Sequence, residues 1–124
     1  MKETVHWQGK TGNDYYSTAI RAGDFIFVSG QGPIDPVTDK IVGNNVEEQT
    51  RYTLQNIFSI LEAAGAKPED IVKVNAYLRD IADYAKFNEV YREMMPGVKP
   101  ARTTVGTQLV DILIEIDCIA HAPK

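Results

Sequence analysis

The most regular stretch of the sequence is NVEEQTRYTLQNIFSILEAAG (residues 45–65). Its apolar side chains recur at three- and four-residue intervals, which is typical of a helix with one buried face. Asn45, followed three residues later by Glu48, matches an N-cap and its capping-box partner. Gly65 is the residue type that most often ends a helix, and Pro68 prevents its continuation. We therefore predict an amphipathic helix over residues 46–64.

Outward from this helix, shorter segments predict a sheet. Residues 17–30 resemble a hairpin turning at Ala22–Asp24, and residues 71–78, 102–105 and 112–120 have the composition of strands. A second helix is predicted from the Asp80–Asp83 region to a stop at Pro96–Gly97. The order ββ-α-β-α-ββ predicts a single α+β domain over residues 1–124, with two layers: a mixed sheet and two helices on one of its faces.

The strand at Phe25–Val28 indicates that something besides the two helices covers the sheet. Both of its faces are apolar, yet two helices on one side of a sheet cover only one face. The other face needs a partner, so the pattern predicts a homo-oligomer, with a closed cyclic assembly as the commonest form.

Composition excludes several classes of function. The chain has 124 residues, of which 44% are hydrophobic, and a net charge of −4, which is ordinary for a globular domain and unsuited to obligate binding of nucleic acid. We find no signal-peptide pattern and no apolar run long enough to cross a membrane. A single cysteine, Cys118, gives no sign of an oxidising compartment. We expect a soluble, cytoplasmic protein that binds neither nucleic acid nor membranes.

The usual catalytic groups are scarce. The two histidines, His6 and His121, stand near the chain ends, which argues against a nucleophile–histidine site or a metal site. No glycine-rich phosphate loop is present. Cys118 lies on the apolar face of a predicted strand, which favours an inert buried thiol. We therefore expect no metal site and no phosphate-binding loop for a nucleotide.

Two charged residues leave alternatives open. Arg102, at the start of a predicted strand, is either an ordinary surface arginine or a clamp that pairs bidentately with a carboxylate. Glu115, flanked by Ile114 and Ile116, is either part of a solvated face shared with Asp117 or a group that accepts a proton from water. Residue type and spacing alone favour the ordinary interpretation for both.

Five blocks of sequence, found in order along the chain, favour the functional interpretation of both residues. SGQGPIDP resembles the SGQ-x-P-x-x-P segment of the RidA/YjgF family of enamine/imine deaminases, and PART resembles its P-A-R-[ST] signature. LEAAG with DIVK, the N-x-x-Y of the second helix, and IEIDCIA match three further family patterns. The blocks occupy residues 29–36, 61–65 with 70–73, 88–91, 100–103 and 114–120.

The resemblance implies a chorismate-mutase-like fold and a homotrimer whose sheets form a central barrel, with sites between subunits. It also implies cofactor-independent hydrolysis of 2-enamino and 2-imino acids, such as 2-aminoacrylate, 2-iminopropanoate and 2-iminobutanoate, to 2-oxo acids and ammonia. The arginine matching Arg102 binds the substrate carboxylate in the family, and the glutamate matching Glu115 orients the attacking water. The pocket-lining positions correspond to Tyr16, Ser29, Gly30, Asn88 and Thr104. With Arg102 nearby, we expect Glu115 to stay ionised.

Three departures from the family pattern bear on the substrate. Thr104 replaces a frequent cysteine, the segment before Tyr16 reads Asn-Asp-Tyr where relatives have Gly-Pro, and the turns at 96–99 and 108–111 are shorter. These changes keep two alternatives open: a sibling deaminase for a larger amino-diene acid, and a non-catalytic regulatory protein that binds small carboxylates. RNA cleavage, an activity attributed to some relatives, is disfavoured by the net charge.

Overall fold

The computed structural model describes residues 2–95, 97 and 99–124. They form one sheet of six strands and two α-helices. In chain order the elements are β1 (Lys2–Thr4), β2 (Ala19–Ala22), β3 (Phe25–Gln31), α1 (Val46–Ala63), β4 (Ile71–Leu78), α2 (Tyr84–Met94), β5 (Ala101–Gly106) and β6 (Ile114–His121). The strands lie side by side in the order β1-β2-β3-β6-β4-β5.

Helix α1 begins and ends close to the predicted positions. The Asn45 side chain accepts a hydrogen bond from the Glu48 amide at 2.8 Å, as expected of an N-cap. Glu48 in turn accepts from the amide of Asn44 at 2.8 Å, one residue earlier than in the standard capping box. Just beyond the helix, Gly65 has φ +83°, a left-handed conformation that glycine adopts without strain.

The sheet is mixed, as predicted. β4 and β5 are parallel and are joined through α2, whereas β6 is antiparallel to both of its neighbours, β3 and β4. Helix α1 contacts β3, β6 and α2, so the helices form one layer on one face. The core between the layers includes fully buried side chains from both, among them Ile26, Leu54, Ile57, Leu78, Phe87 and Ile116.

No part of the described chain forms a layer over the other face of the sheet. Phe25 and Phe27 are 42% and 45% exposed, while Ile26 between them is fully buried under the helices. The apolar face inferred from the Phe25–Val28 segment is therefore confirmed as an uncovered surface. None of the helices in the described part of the chain has the length and apolarity that a membrane span requires.

Three local expectations differ from the structure. β1 was not predicted, because its Lys-Glu-Thr sequence is exposed throughout and has no apolar alternation; backbone pairing with β2 forms it. β6 begins at Ile114 and not at residue 112, after Asp111 at φ +63°. Asp80 caps a single 3-10 turn over Ile81–Asp83, and α2 follows it directly. The predicted stop at Pro96 lies outside the described residues.

Arg21 is a buried arginine with a purely structural environment. Its side chain, on β2, is 7% exposed. The guanidinium donates to the carbonyl of Ala64 at 2.9 Å and to that of Ala122 at 2.7 Å. It thereby joins the end of α1 to the segment after β6 and satisfies backbone groups that would otherwise be buried without a donor.

Candidate active site

Arg102 lies on the helix-covered side of the sheet. In the parallel pairing of β4 and β5 it stands opposite Val74, and paired residues of neighbouring strands point to the same face. Val74 is buried beneath the helices. Since β5 is the edge strand, the Arg102 side chain emerges at the margin of the sheet, next to α2.

Three aromatic rings of α2 surround the Arg102 guanidinium. Its central carbon lies 4.7 Å from the ring centroid of Tyr91, 5.2 Å from that of Phe87 and 5.8 Å from that of Tyr84. Arg102 Nη2 also donates to the Tyr84 hydroxyl at 3.3 Å. Cation–π attraction holds the plane of a guanidinium and leaves other N–H groups at its edge for an anion. We call these four residues the Arg102 cradle.

Asn88 and Thr104 lie beside the cradle. Asn88, with Tyr84 and Tyr91, lines a cleft of about 610 Å³, and an adjoining cleft of about 340 Å³ contains Tyr91 and Arg102. Thr104 stands opposite the buried Ala76 and so shares the face of Arg102. Among the described residues, nothing hydrogen-bonds the buried Thr104 Oγ1.

Glu115 lies on the opposite face. It pairs with Tyr77 of β4, whose neighbours Ala76 and Leu78 are the buried ones. Its carboxylate reaches over the backbone of Gly30: a Cβ at that glycine would lie 2.6 Å from Glu115 Oε2 and 3.0 Å from Cδ. Gly30 is thus the residue whose missing side chain makes room for Glu115.

Tyr16, Ser29, Gly30 and Glu115 line one cleft, here called the Glu115 cleft, of about 290 Å³. Tyr16 is 56% exposed, and its amide donates to the Asn13 side chain at 3.0 Å. The Ser29 hydroxyl donates to the carbonyl of Ser17 at 2.7 Å. That hydrogen bond uses the hydroxyl proton, so the Ser29 side chain could only accept a hydrogen bond from a ligand.

The environment of Glu115 differs from the sequence-based expectation. Burial, followed by the negative charge of Asp117, raises the pKa of the Glu115 carboxyl. The expectation that Arg102 keeps Glu115 ionised is wrong for a single chain, because the two side chains point to opposite faces of the sheet.

The seven candidate residues therefore fall into two groups. Arg102, Asn88 and Thr104 lie with the cradle, and Tyr16, Ser29 and Gly30 lie with Glu115. A ligand carboxylate on Arg102 and a water molecule on Glu115 of the same chain would be separated by the sheet itself. One chain therefore does not bring together the residues of the site that the resemblance implies.

Among the described residues, neither the cysteine nor a cluster of metal ligands adds to these two groups. Cys118 is buried, and burial together with the charge of Asp117 raises its thiol pKa to about 12, as expected for an unreactive thiol. Within residues 2–95, 97 and 99–124, no three His, Cys, Asp or Glu side chains are grouped as metal ligands would be.

Sequence reasoning did not identify the aromatic residues of the cradle as part of a site. Tyr84, Phe87 and Tyr91 have the spacing of a core stripe, yet Tyr84 is 43% exposed and only Phe87 is fully buried. The signal that could have identified them is the position of Asn88 on the same helix next to this stripe. Aromatic rings near a lone arginine of a neighbouring strand favour a cation–π arrangement over a purely apolar core.

Comparison with known proteins gives a consistent result. A family model described as Endoribonuclease L-PSP matches residues 11–122. A RutC family protein of Pyrococcus horikoshii is 51% identical over 108 residues, covering 86% of each chain. The chloroplastic Reactive Intermediate Deaminase A of Arabidopsis thaliana is 41% identical over 107 residues, which are 85% of this chain and 57% of that protein. The structure of E. coli TdcF with bound serine superposes with a TM-score of 0.86 at 31% identity, over 96% of this chain and 98% of that one.

Proposed function

Because the chain belongs to the RidA/YjgF family, whose model carries the description Endoribonuclease L-PSP, we propose that it hydrolyses 2-imino and 2-enamino acids to 2-oxo acids and ammonia. The observation that carries this proposal is that the chain presents two suitable functional groups. One is a guanidinium fixed by aromatic rings, and the other is a half-buried carboxylate in a separate cleft. The first suits an α-carboxylate and the second suits a water molecule. The name of the Arabidopsis relative, Reactive Intermediate Deaminase A, supports the same reaction.

The proposed active site takes its two halves from two copies of the chain. In a closed ring, the Arg102 cradle of one copy faces the Glu115 cleft of the next, so that every interface completes one site. The exposed Phe25 and Phe27 supply apolar surface for such an assembly. A homotrimer with the uncovered sheet faces turned inward as a central barrel is the arrangement we propose.

In the proposed mechanism, the substrate carboxylate pairs with the free N–H edge of Arg102. Glu115 accepts a proton from a water molecule, and the water oxygen forms a bond to C2 as the C=N π electrons move to nitrogen. The resulting carbinolamine collapses to the 2-oxo acid when nitrogen, having gained protons, leaves as ammonia. An imine carbon is already electrophilic, so orientation and electrostatics supply the catalysis and the reaction needs no cofactor.

A coupled assay tests the proposal. A pyridoxal-phosphate lyase generates 2-aminoacrylate in the cuvette, and semicarbazide traps the imine that remains. Wild-type protein should lower the amount of imine that semicarbazide traps, because it hydrolyses the imine first, whereas Arg102→Ala and Glu115→Gln should not, although both variants fold. Tight binding of 2-oxo acids in calorimetry without any turnover by wild type would overturn the deaminase and favour a regulatory protein.

The family description also names an endoribonuclease, so RNA cleavage is the second candidate. The net charge of −4 gives it little support, because binding to a phosphate backbone depends on clustered lysine and arginine. Cleavage of a defined RNA by wild type, lost in Glu115→Gln and Arg102→Ala prepared identically, would establish it.

A further inference from the structure

Tyr84 is the one residue of the Arg102 cradle whose hydroxyl is both exposed and fixed. It is the first residue of α2, it is 43% exposed, and it lines the 610 Å³ cleft together with Asn88. Its oxygen receives a hydrogen bond from Arg102 Nη2 at 3.3 Å. A ligand carboxylate that pairs with Arg102 through Nη2 would therefore lie next to this hydroxyl.

The direction of that hydrogen bond decides what Tyr84 can do. A guanidinium has donors only, so the Tyr84 oxygen is the acceptor and the tyrosine's own proton remains available to another group. Hydrogen bonding by Asn88, followed by the positive charge of Arg102, lowers the pKa of Tyr84. The same two neighbours would stabilise the phenolate after the proton has left.

The proposed reaction needs such a donor when its substrate is an enamine. Conversion of the enamine to the imine requires a proton at C3, three bonds from a carboxylate oxygen. Arg102 cannot supply it, because an arginine stays protonated in proteins. Glu115 serves the reaction as an acceptor, and burial raises the pKa of Tyr91, which makes it a poorer acid than Tyr84.

We propose that Tyr84 donates the proton that converts a bound 2-enamino acid to its imine. This inference rests on the proposed function. The Tyr84 O–H bond breaks and leaves its electrons on oxygen; the C2=C3 π bond breaks and its electron pair forms the new C–H bond at C3, while the enamine nitrogen lone pair becomes the π bond of a C2=N iminium. The phenolate then regains its proton from solvent. Water addition at C2, aided by Glu115, follows as in the reaction of an imine.

Two kinds of substrate distinguish a Tyr84 that donates a proton to C3 from a Tyr84 that only positions Arg102. 2-Aminoacrylate requires protonation at C3, whereas the imines of glycine and phenylglycine, made by an amino-acid oxidase, have no C3 hydrogen to lose and cannot exist as enamines. We expect Tyr84→Phe to slow deamination of 2-aminoacrylate by about 100-fold, the contribution of a positioned general acid. The rates on the two imines should fall far less, only by the factor that loss of the Arg102–Tyr84 hydrogen bond costs all three substrates, since no proton transfer to carbon occurs there.

Tyr91→Phe is the matched control, because it removes the other hydroxyl of the cradle and should change both kinds of substrate alike. Equal slowing of enamine and imines by Tyr84→Phe would show that the hydroxyl only positions Arg102 and would overturn the inference. Wild-type rates on all substrates would overturn it as well. A wild-type protein inactive on both imines would instead refute the proposed function, since every route ends in imine hydrolysis.

Discussion

Mixing two inactive variants should restore activity if the site is shared between copies. Arg102 stands opposite Val74, on the helix side of the sheet, whereas Glu115 stands opposite Tyr77, on the uncovered side. No rotation of the two side chains brings both to one ligand within a chain. Arg102→Ala and Glu115→Gln therefore damage different halves of each site, and the two variants can repair one another.

The expected recovery follows from the assembly. In an equimolar mixture, half of the copies retain Arg102 and half retain Glu115. If the copies combine at random in a ring, about one quarter of the interfaces join the two intact halves, so the mixture should show about one quarter of the wild-type rate. The other interfaces lack one group or both and contribute little.

The assay is the semicarbazide-coupled deamination of 2-aminoacrylate, after the two variants have been unfolded together and refolded, with native mass spectrometry to confirm mixed assemblies. The matched control combines Arg102→Ala with a chain carrying both substitutions, because that mixture contains no intact Arg102. A mixed assembly as inactive as its components would refute the shared site. Monomeric wild-type protein with full activity would refute it more directly.

Three further predictions concern single positions. Gly30→Ala should lower the deamination rate by about 100-fold without altering thermal unfolding, because its Cβ displaces the Glu115 carboxylate, whereas Gly32→Ala, which approaches only the side chains of two isoleucines, should not. The rate should rise with pH as Glu115 ionises, and Asp117→Asn should move this rise to lower pH, since the charge of Asp117 raises the Glu115 pKa; an unmoved pH profile would contradict that cause. Arg21→Met should destabilise the fold by roughly 3 kcal/mol, lowering the Tm by on the order of 10 °C in calorimetry, because two buried carbonyls lose their donor.

The sequence predicted the elements that depend on local patterns. Helix α1 was identified by its apolar spacing, its Asn45 cap and Gly65, and each of these has its expected local geometry. The face of Glu115 also followed from the pattern, because strict alternation with Ile114 and Ile116 places it opposite the buried side. β1 could not be predicted, since no side chain of Lys2–Thr4 is buried and only pairing with β2 defines it.

The face of Arg102 could not be predicted, and the reason lies in its strand. Arg-Thr-Thr-Val has no apolar alternation, and both Thr103 and Val105 are exposed, so nothing in β5 itself marks a buried side. Only its register with β4, fixed by the α2 connection between the two strands, places Arg102 beneath the aromatic rings. The division of the candidate site between two faces follows from that register. It makes the proposed activity a property of the assembly, because Arg102 and Glu115 can meet only where two copies do.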